Sequence, residues 1–208
     1  SGAVVTTVST YKNVVTVAGG NGQGSLANQF SNPSGLAVDG SGNLYVADKE
    51  NHRVQKCAVT DGTWACSTFA GSGQGSDANQ FSYPFGIAVD ASGNVYVADF
   101  GNTRVQKFAP NCTISCSGET IASGFNEAPR GVAVDTFGNV YIADSGNNQM
   151  RKCEPPTRRA WTCSTVAGGN GQGSLANQFS NPFGVAVDGS RNVYVADTLN
   201  HRVQKWSL

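Results

Sequence analysis

The chain has no surplus of positive charge, no long apolar run and only two histidines. Lys plus Arg and Asp plus Glu stand at 14 each in 208 residues. A phosphate-binding surface needs a basic excess, so nucleic acid is not an expected partner. No stretch approaches the roughly 18 apolar residues that cross a bilayer, and no membrane contact is expected. The opening SGAVVTTVST lacks the charged start and apolar core of a signal peptide. A processed chain and an excised piece of a longer one both satisfy that reading. There is no G-x-S-x-G elbow and no Ser/His/Asp arrangement, so no catalytic residue and no cofactor is assigned. Charged residues make up 13% while glycine numbers 26. That balance suits a turn-dense β protein better than a helical or disordered one.

What is present is one segment written four times. FSNPSGLAVDGSGNLYVADKENHRVQKC begins at Phe30, and close copies begin at Phe81, Ala128 and Phe179. Within each copy, apolar residues alternate over runs of about five and are separated by Gly, Asn and Asp. This is the pattern of short antiparallel strands joined by tight turns. A fourth strand follows three of the copies, in WACSTFAG, GETIASG and WTCSTVAGG. The opening prolines, Pro33, Pro84, Pro129 and Pro182, recur at about 45 to 53 residues, the spacing of four-stranded propeller blades. The fourth copy stops after its third strand. The missing strand has its counterpart near the N-terminus, where VVTVAGGNGQGSLANQF from Val14 nearly duplicates STVAGGNGQGSLANQF from Ser164.

The pattern P-x-G-[VIL]-A-V-D, G-N-[VL]-Y-[VI]-A-D and N-x-R-V-Q-K resembles the NHL repeat family of β-propellers. The third copy departs from it with Gln149 and Met150. Familiar NHL domains usually have six blades. The expected fold is all-β, a single domain over 1–208 with four blades at about 33–76, 84–124, 129–174 and 182–208. The last is expected to be completed by residues 13–20, so that strands from both termini close the ring. The small residues of each first strand, such as Gly35, Gly86, Gly131 and Gly184, suit a crowded axis. A closed monomer is the preferred reading, and a strand-sharing dimer with eight blades is the alternative.

The blade register pairs Cys57 with Cys66, Cys112 with Cys116, and Cys153 with Cys163. Each pair falls on the third and fourth strands of one blade or in the hairpin between them, within disulfide reach. Trp206 and Val14 take those positions in the split blade, so both partners are lost together. Three bridges imply an oxidising compartment, hence a secreted or extracellular protein. Asn111 to Thr113 spells a glycosylation sequon compromised by Cys112.

Eight of the 14 acidic residues recur in register, as Asp39, Asp90, Asp135 and Asp188 and as Asp48, Asp99, Asp144 and Asp197. Fourfold repetition gives them nearly equal environments, whereas acid/base chemistry needs unequal ones. Turn bonding and pairing with Arg53, Arg104 and Arg202 is the expected role. GGNGQG resembles a phosphate cradle but precedes no helix, so it reads as a linker turn. Candidate recognition residues are those that escape the repeat after VAD: Lys49 and Glu50, Phe100, Ser145, and Thr198 and Leu199. His52, Thr103, Asn148 and His201 follow at one shared position. All should emerge on one face and present a surface to a protein or glycan ligand. Propeller lyases similar to this family hold metals near the axis. The resemblance therefore makes a metal-dependent lyase or hydrolase the alternative, with His52 and His201 as its first suspects, although no metal ligand is assigned.

Overall fold

The computed structural model describes residues 15–157 and 160–207. It contains fifteen strands in four antiparallel sheets. The first blade is β1 (Pro33–Val38), β2 (Leu44–Asp48), β3 (Arg53–Thr60) and β4 (Thr63–Ala70). The second is β5 (Pro84–Val89), β6 (Val95–Asp99), β7 (Arg104–Phe108) and β8 (Glu119–Ala122). The third is β9 (Val132–Val134), β10 (Val140–Asp144), β11 (Gln149–Glu154) and β12 (Thr162–Gly168). The fourth has three strands, β13 (Pro182–Val187), β14 (Val193–Asp197) and β15 (Arg202–Trp206). Strands within each blade are joined in sequence order, as a meander. All three expected disulfides are present; Cys57 lies opposite Cys66 and Cys153 opposite Cys163 across a strand pair.

Two repeated aspartates fix the turns. Asp39 accepts the backbone N–H groups of Ser41 and Asn43 and the Asn43 side-chain amide, each within 2.9 Å. Asp90, Asp135 and Asp188 repeat that cage between the first and second strands of their blades. The second aspartate is buried at the end of the second strand. Asp99 accepts from Ser82 N–H, Asn102 Nδ2 and Arg104 Nε at 2.7 to 2.8 Å. Arg104 then donates to the carbonyls of Ser76, Asp77 and Gln80 in the linker from the previous blade. Arg53 and Arg202 grip the other glycine-rich linkers in the same way. These linkers are held by an arginine rather than shaped around a phosphate.

The third copy's departure has a physical reason. Its linker, Ser123 to Pro129, lacks the G-Q-G-S-x-A-N-Q stretch whose carbonyls the arginine would bind. Gln149 stands in for the arginine, donates to Asp144 at 2.7 Å and accepts from Thr165 Oγ1 at 2.9 Å, without reaching the linker.

Apolar residues pack between blades in three clusters. Val54, Phe81, Ile87 and Phe108 centre the first; Val105, Phe125, Val132 and Ile142 the second; Tyr141, Met150, Phe179 and Val195 the third. The inner strands approach so closely that a Cβ at Gly35, Gly86 or Gly131 would collide with the carbonyl of Phe85, Arg130 or Phe183 on the next blade. Gly184 meets no such neighbour.

The expected closure is not seen among the described residues. β15 pairs with β14 alone, and residues 15–18 form no strand; Val14 lies outside the described residues. Leu36 on the first blade is 69% exposed and Val203 on the fourth is 71% exposed, while their counterparts Ile87 and Val54 are 7% and 0% exposed. Among the described residues the four blades thus form an arc with two free faces.

Two predictions follow from this packing. Gly86→Ala forces backbone apart and should lower stability by about 1–3 kcal/mol in urea unfolding. The second concerns acid. The Asn192 amide holds Asp188 below the ordinary carboxylate value of 3.8. At Asp39 and Asp197 burial pulls upward but is outweighed by the donors, among them Asn43 at the first and Ser180 N–H, Asn200 and Arg202 at the second. Carboxylates depressed by folding stabilise the native state above their unfolded values, and that stability is lost as pH falls through the folded ones. Burial pushes Asp99 the opposite way. The melting temperature should drop between about pH 5 and about pH 3, and Asn192→Ala should weaken that dependence.

Candidate binding site at the axial mouth

The second strand of every blade ends at the same end of the arc as the first strand begins, because the two are antiparallel neighbours: Pro33 lies opposite Asp48, Pro84 opposite Asp99 and Pro182 opposite Asp197. After each buried aspartate the chain makes a short 3-10 turn, at Lys49–Asn51, Phe100–Asn102, Ser145–Asn147 and Thr198–Asn200. The next residue is left-handed in all four, with φ between 49° and 54°. The turn residues singled out from the sequence and the residues after the prolines therefore share one end.

The turn residues divide by what they touch. Tyr83 N–H donates to His52 Nδ1 at 3.1 Å, which leaves the imidazole proton on Nε2. Burial lowers the pKa of His52 and keeps the ring neutral, against the opposing charges of Asp99 and Glu50. Asn148 Oδ1 accepts Asn181 N–H at 2.7 Å in the corresponding place. The position thus works as a latch between adjacent blades. Glu50 accepts from Ser31 Oγ and Asn32 Nδ2 at 3.1 Å. Ser145 is buried and donates to the Pro182 carbonyl. Thr103 N–H closes its own turn on Phe100. Thr198, Leu199 and His201 lie exposed on the fourth blade.

Lys49 and Phe100 reach a further cluster that reading by repeats passes over. The residue after each opening proline varies: Ser34, Phe85, Arg130 and Phe183. The Arg130 guanidinium lies 3.8 Å from the centre of the Phe183 ring and 5.4 Å from that of Phe100. Phe85 stands edge-on to Phe183 at 5.7 Å and tilts against Phe100 at 6.0 Å. Lys49 Nζ is 5.9 Å from the Phe85 ring. Arg130 N–H is fixed by the Ala143 carbonyl at 3.1 Å, but among the described residues no hydrogen bond or ion pair engages its guanidinium. Burial lowers its pKa and the charge of Glu127 raises it; the group remains a cation at neutral pH. A cleft of about 360 Å³ opens beside it, lined by Phe100, Thr103, Glu127 and Arg130. A second cleft of about 200 Å³ runs along the inner strands past Phe85 and Arg130. The signal in the sequence was the variable x of P-x-G, set between two invariant residues.

A model of the NHL repeat matches residues 30–57, 81–108, 128–153 and 179–206. The chain belongs to the NHL repeat family. Peptidyl-glycine alpha-amidating monooxygenase B of Xenopus laevis is 37% identical over 86 residues, covering 40% of this NHL chain and 10% of that protein. NHL repeat-containing protein 3 of Mus musculus is 32% identical over 95 residues, covering 46% of this chain and 27% of that one. The chain therefore spans a tenth to about a quarter of these relatives. Among solved structures, an auxiliary nutrient binding protein from Bacteroides thetaiotaomicron aligns over 86% of this chain and 48% of its own, with 16% identity and a TM-score of 0.63. A gluconolactonase-like structure aligns over 78% and 56%, with a TM-score of 0.58. Both likenesses support the propeller fold alone.

His52 and His201 sit on the first and fourth blades, at opposite ends of the arc, and the His52 Nδ1 lone pair is already used. Among the described residues no group of three or more His, Cys, Asp or Glu is arranged to hold a metal ion. The two histidines do not fit a metal centre. If His52 is a latch, His52→Asn, which copies the third blade, should keep stability within about 0.5 kcal/mol, and His52→Ala should cost about 1 kcal/mol. Thermal melts of the two variants check this.

Proposed function

We propose that the protein is a secreted binding module whose axial mouth receives a carboxylate or similar anion carried by a protein or glycan ligand. The observation that carries this reading is Arg130. Its guanidinium lies over the Phe183 ring and near that of Phe100 while its hydrogen-bond donors remain unengaged among the described residues. Such a group offers bidentate bonds to an oxyanion, and Phe85 and Phe100 offer apolar surface to what the anion is attached to. Lys49 adds a second positive charge at the rim. Loops and strand ends on a rigid frame are where recognition usually resides. The disulfides support an extracellular setting, and no described helix is long and apolar enough to cross a membrane.

The name of one relative, a peptidyl-alpha-hydroxyglycine alpha-amidating lyase of Caenorhabditis elegans that is 32% identical over 83 residues, favours a second reading, a lyase. It gains no support from His52 and His201, and no catalytic step is assigned.

The test is binding to arrays of acidic glycans and of peptides with acidic side chains or free C-termini, followed by titration of the best ligand. Arg130→Ala should weaken binding about tenfold or more, as expected for lost bonds to a charged group. Phe85→Ala should weaken it without changing its salt dependence. Equal binding by Arg130→Ala and the parent protein would refute the axial site; silence on both arrays would refute the module.

A further inference from the structure

We propose that this chain associates with a second copy of itself, head to tail, the free face of the fourth blade in one copy taking the free face of the first blade in the other. The molecule already contains the required interface three times. At each internal junction the rear face of one blade meets the front face of the next through the same set of positions. The two free faces of the arc carry those same sets, unsatisfied.

On the rear face of the fourth blade, Val203 is 71% exposed whereas Val54, Val105 and Met150, which hold that place in the other blades, are 0% exposed. Gly184 has no facing carbonyl; Gly35, Gly86 and Gly131 each do, and in each case it belongs to the residue after the next blade's proline. The matching group is the Ser34 carbonyl, on the first blade. His201 is exposed, whereas His52 and Asn148 each accept a backbone N–H from the left-handed residue before the next proline. The matching donor is Asn32, which has the same conformation, φ 50°.

The front face of the first blade completes the set. Leu36 is 69% and Val38 59% exposed, while Ile87 and Val132 are 7% and 6% exposed. Phe30 is only half-buried, whereas Phe81 and Phe179 are fully covered. Phe30 lines a cavity of about 550 Å³ with Ala18, Gly19, Asn32 and Pro33. A Cβ at Gly19 would meet only Phe30, whereas at its counterparts Gly71 and Gly168 it would also meet the backbone of the third strand in the same blade, at His52–Arg53 and Asn148–Gln149.

Residues 15–18 and the open edge of β15 fit together as well. In the third blade Met150 lies opposite Ala167, Arg151 opposite Thr165 and Cys153 opposite Cys163. The counterparts are Val203 with Ala18, Gln204 with Thr16 and Trp206 with Val14. Pairing in that register would give the fourth blade its outer strand from the other copy. Exposed apolar patches of this kind on a rigid frame mark interaction sites, and a two-faced contact between copies is heterologous.

The experiment is light scattering on the 208-residue protein across a range of concentrations. A mass of two chains or more is expected, and a mass of one chain at every concentration would overturn the proposal. Val203→Glu and Leu36→Glu should each reduce the mass to one chain with unchanged circular dichroism. Mixing the two variants should restore a pair, because each keeps the face the other lacks; failure to pair in a folded mixture counts against the proposal. The double variant Val14→Cys, Trp206→Cys distinguishes closure on the same chain. A disulfide between chains on a non-reducing gel supports the proposal, and one within a single chain overturns it.

Discussion

The arrangement depends on one buried carboxylate per blade. Asp48, Asp99, Asp144 and Asp197 are each fully buried at the end of a second strand. A charge in that position is tolerated only when its oxygens are filled by donors and, best, by a cation. In three blades an arginine fills that role with its Nε and turns its remaining N–H groups outward to linker carbonyls. One ion pair thereby fixes the end of a strand, the 3-10 turn after it and the path by which the chain arrives from the preceding blade. Where the linker shortens, in the third copy, glutamine takes the place at the carboxylate and Arg151 reaches the linker at the Ser123 carbonyl.

That economy separates scaffold from surface. The residues that define the repeat are spent on turn cages, the buried knot and the blade interfaces, and His52 and Asn148, at the position after the turn, join neighbouring blades. What remains for recognition is a small set of positions whose side chains no repeated interaction claims. Four of them, Ser34, Phe85, Arg130 and Phe183, open the inner strands, and the curvature of the arc brings the last three together. A cation wedged among phenylalanines is held in place by the rings and still offers its hydrogen-bond donors, the combination an anionic ligand requires.

The blade interface is equally economical and has a structural consequence. The same front and rear faces are used at every junction, so the interface carries no instruction to stop. A run of such blades has satisfied faces only where it meets another blade, of its own chain or of another. The exposure of Leu36 and Val203 expresses that condition at the two ends.

Much of this was legible in the residues. Alternation bounded by Gly, Asn and Asp placed the strands, the blade register paired the six cysteines, and fourfold repetition marked the aspartates as structural. The latch role of His52 was foreshadowed by Asn148 at the same position, but its partner amide lies on another blade. The axial cluster was hidden because a single variable residue inside an invariant motif has no periodicity of its own. Its importance comes from convergence at an axis. Closure by strands from both termini was expected from the near-duplicate of Val14 onward and is not seen among the described residues. The sequence alone determined the blade, since strand, turn and knot involve residues within about one repeat of each other. Only the tertiary structure decided how blades are set side by side, because ring curvature is the sum of small rotations at each packed interface and no local stretch of chain contains it.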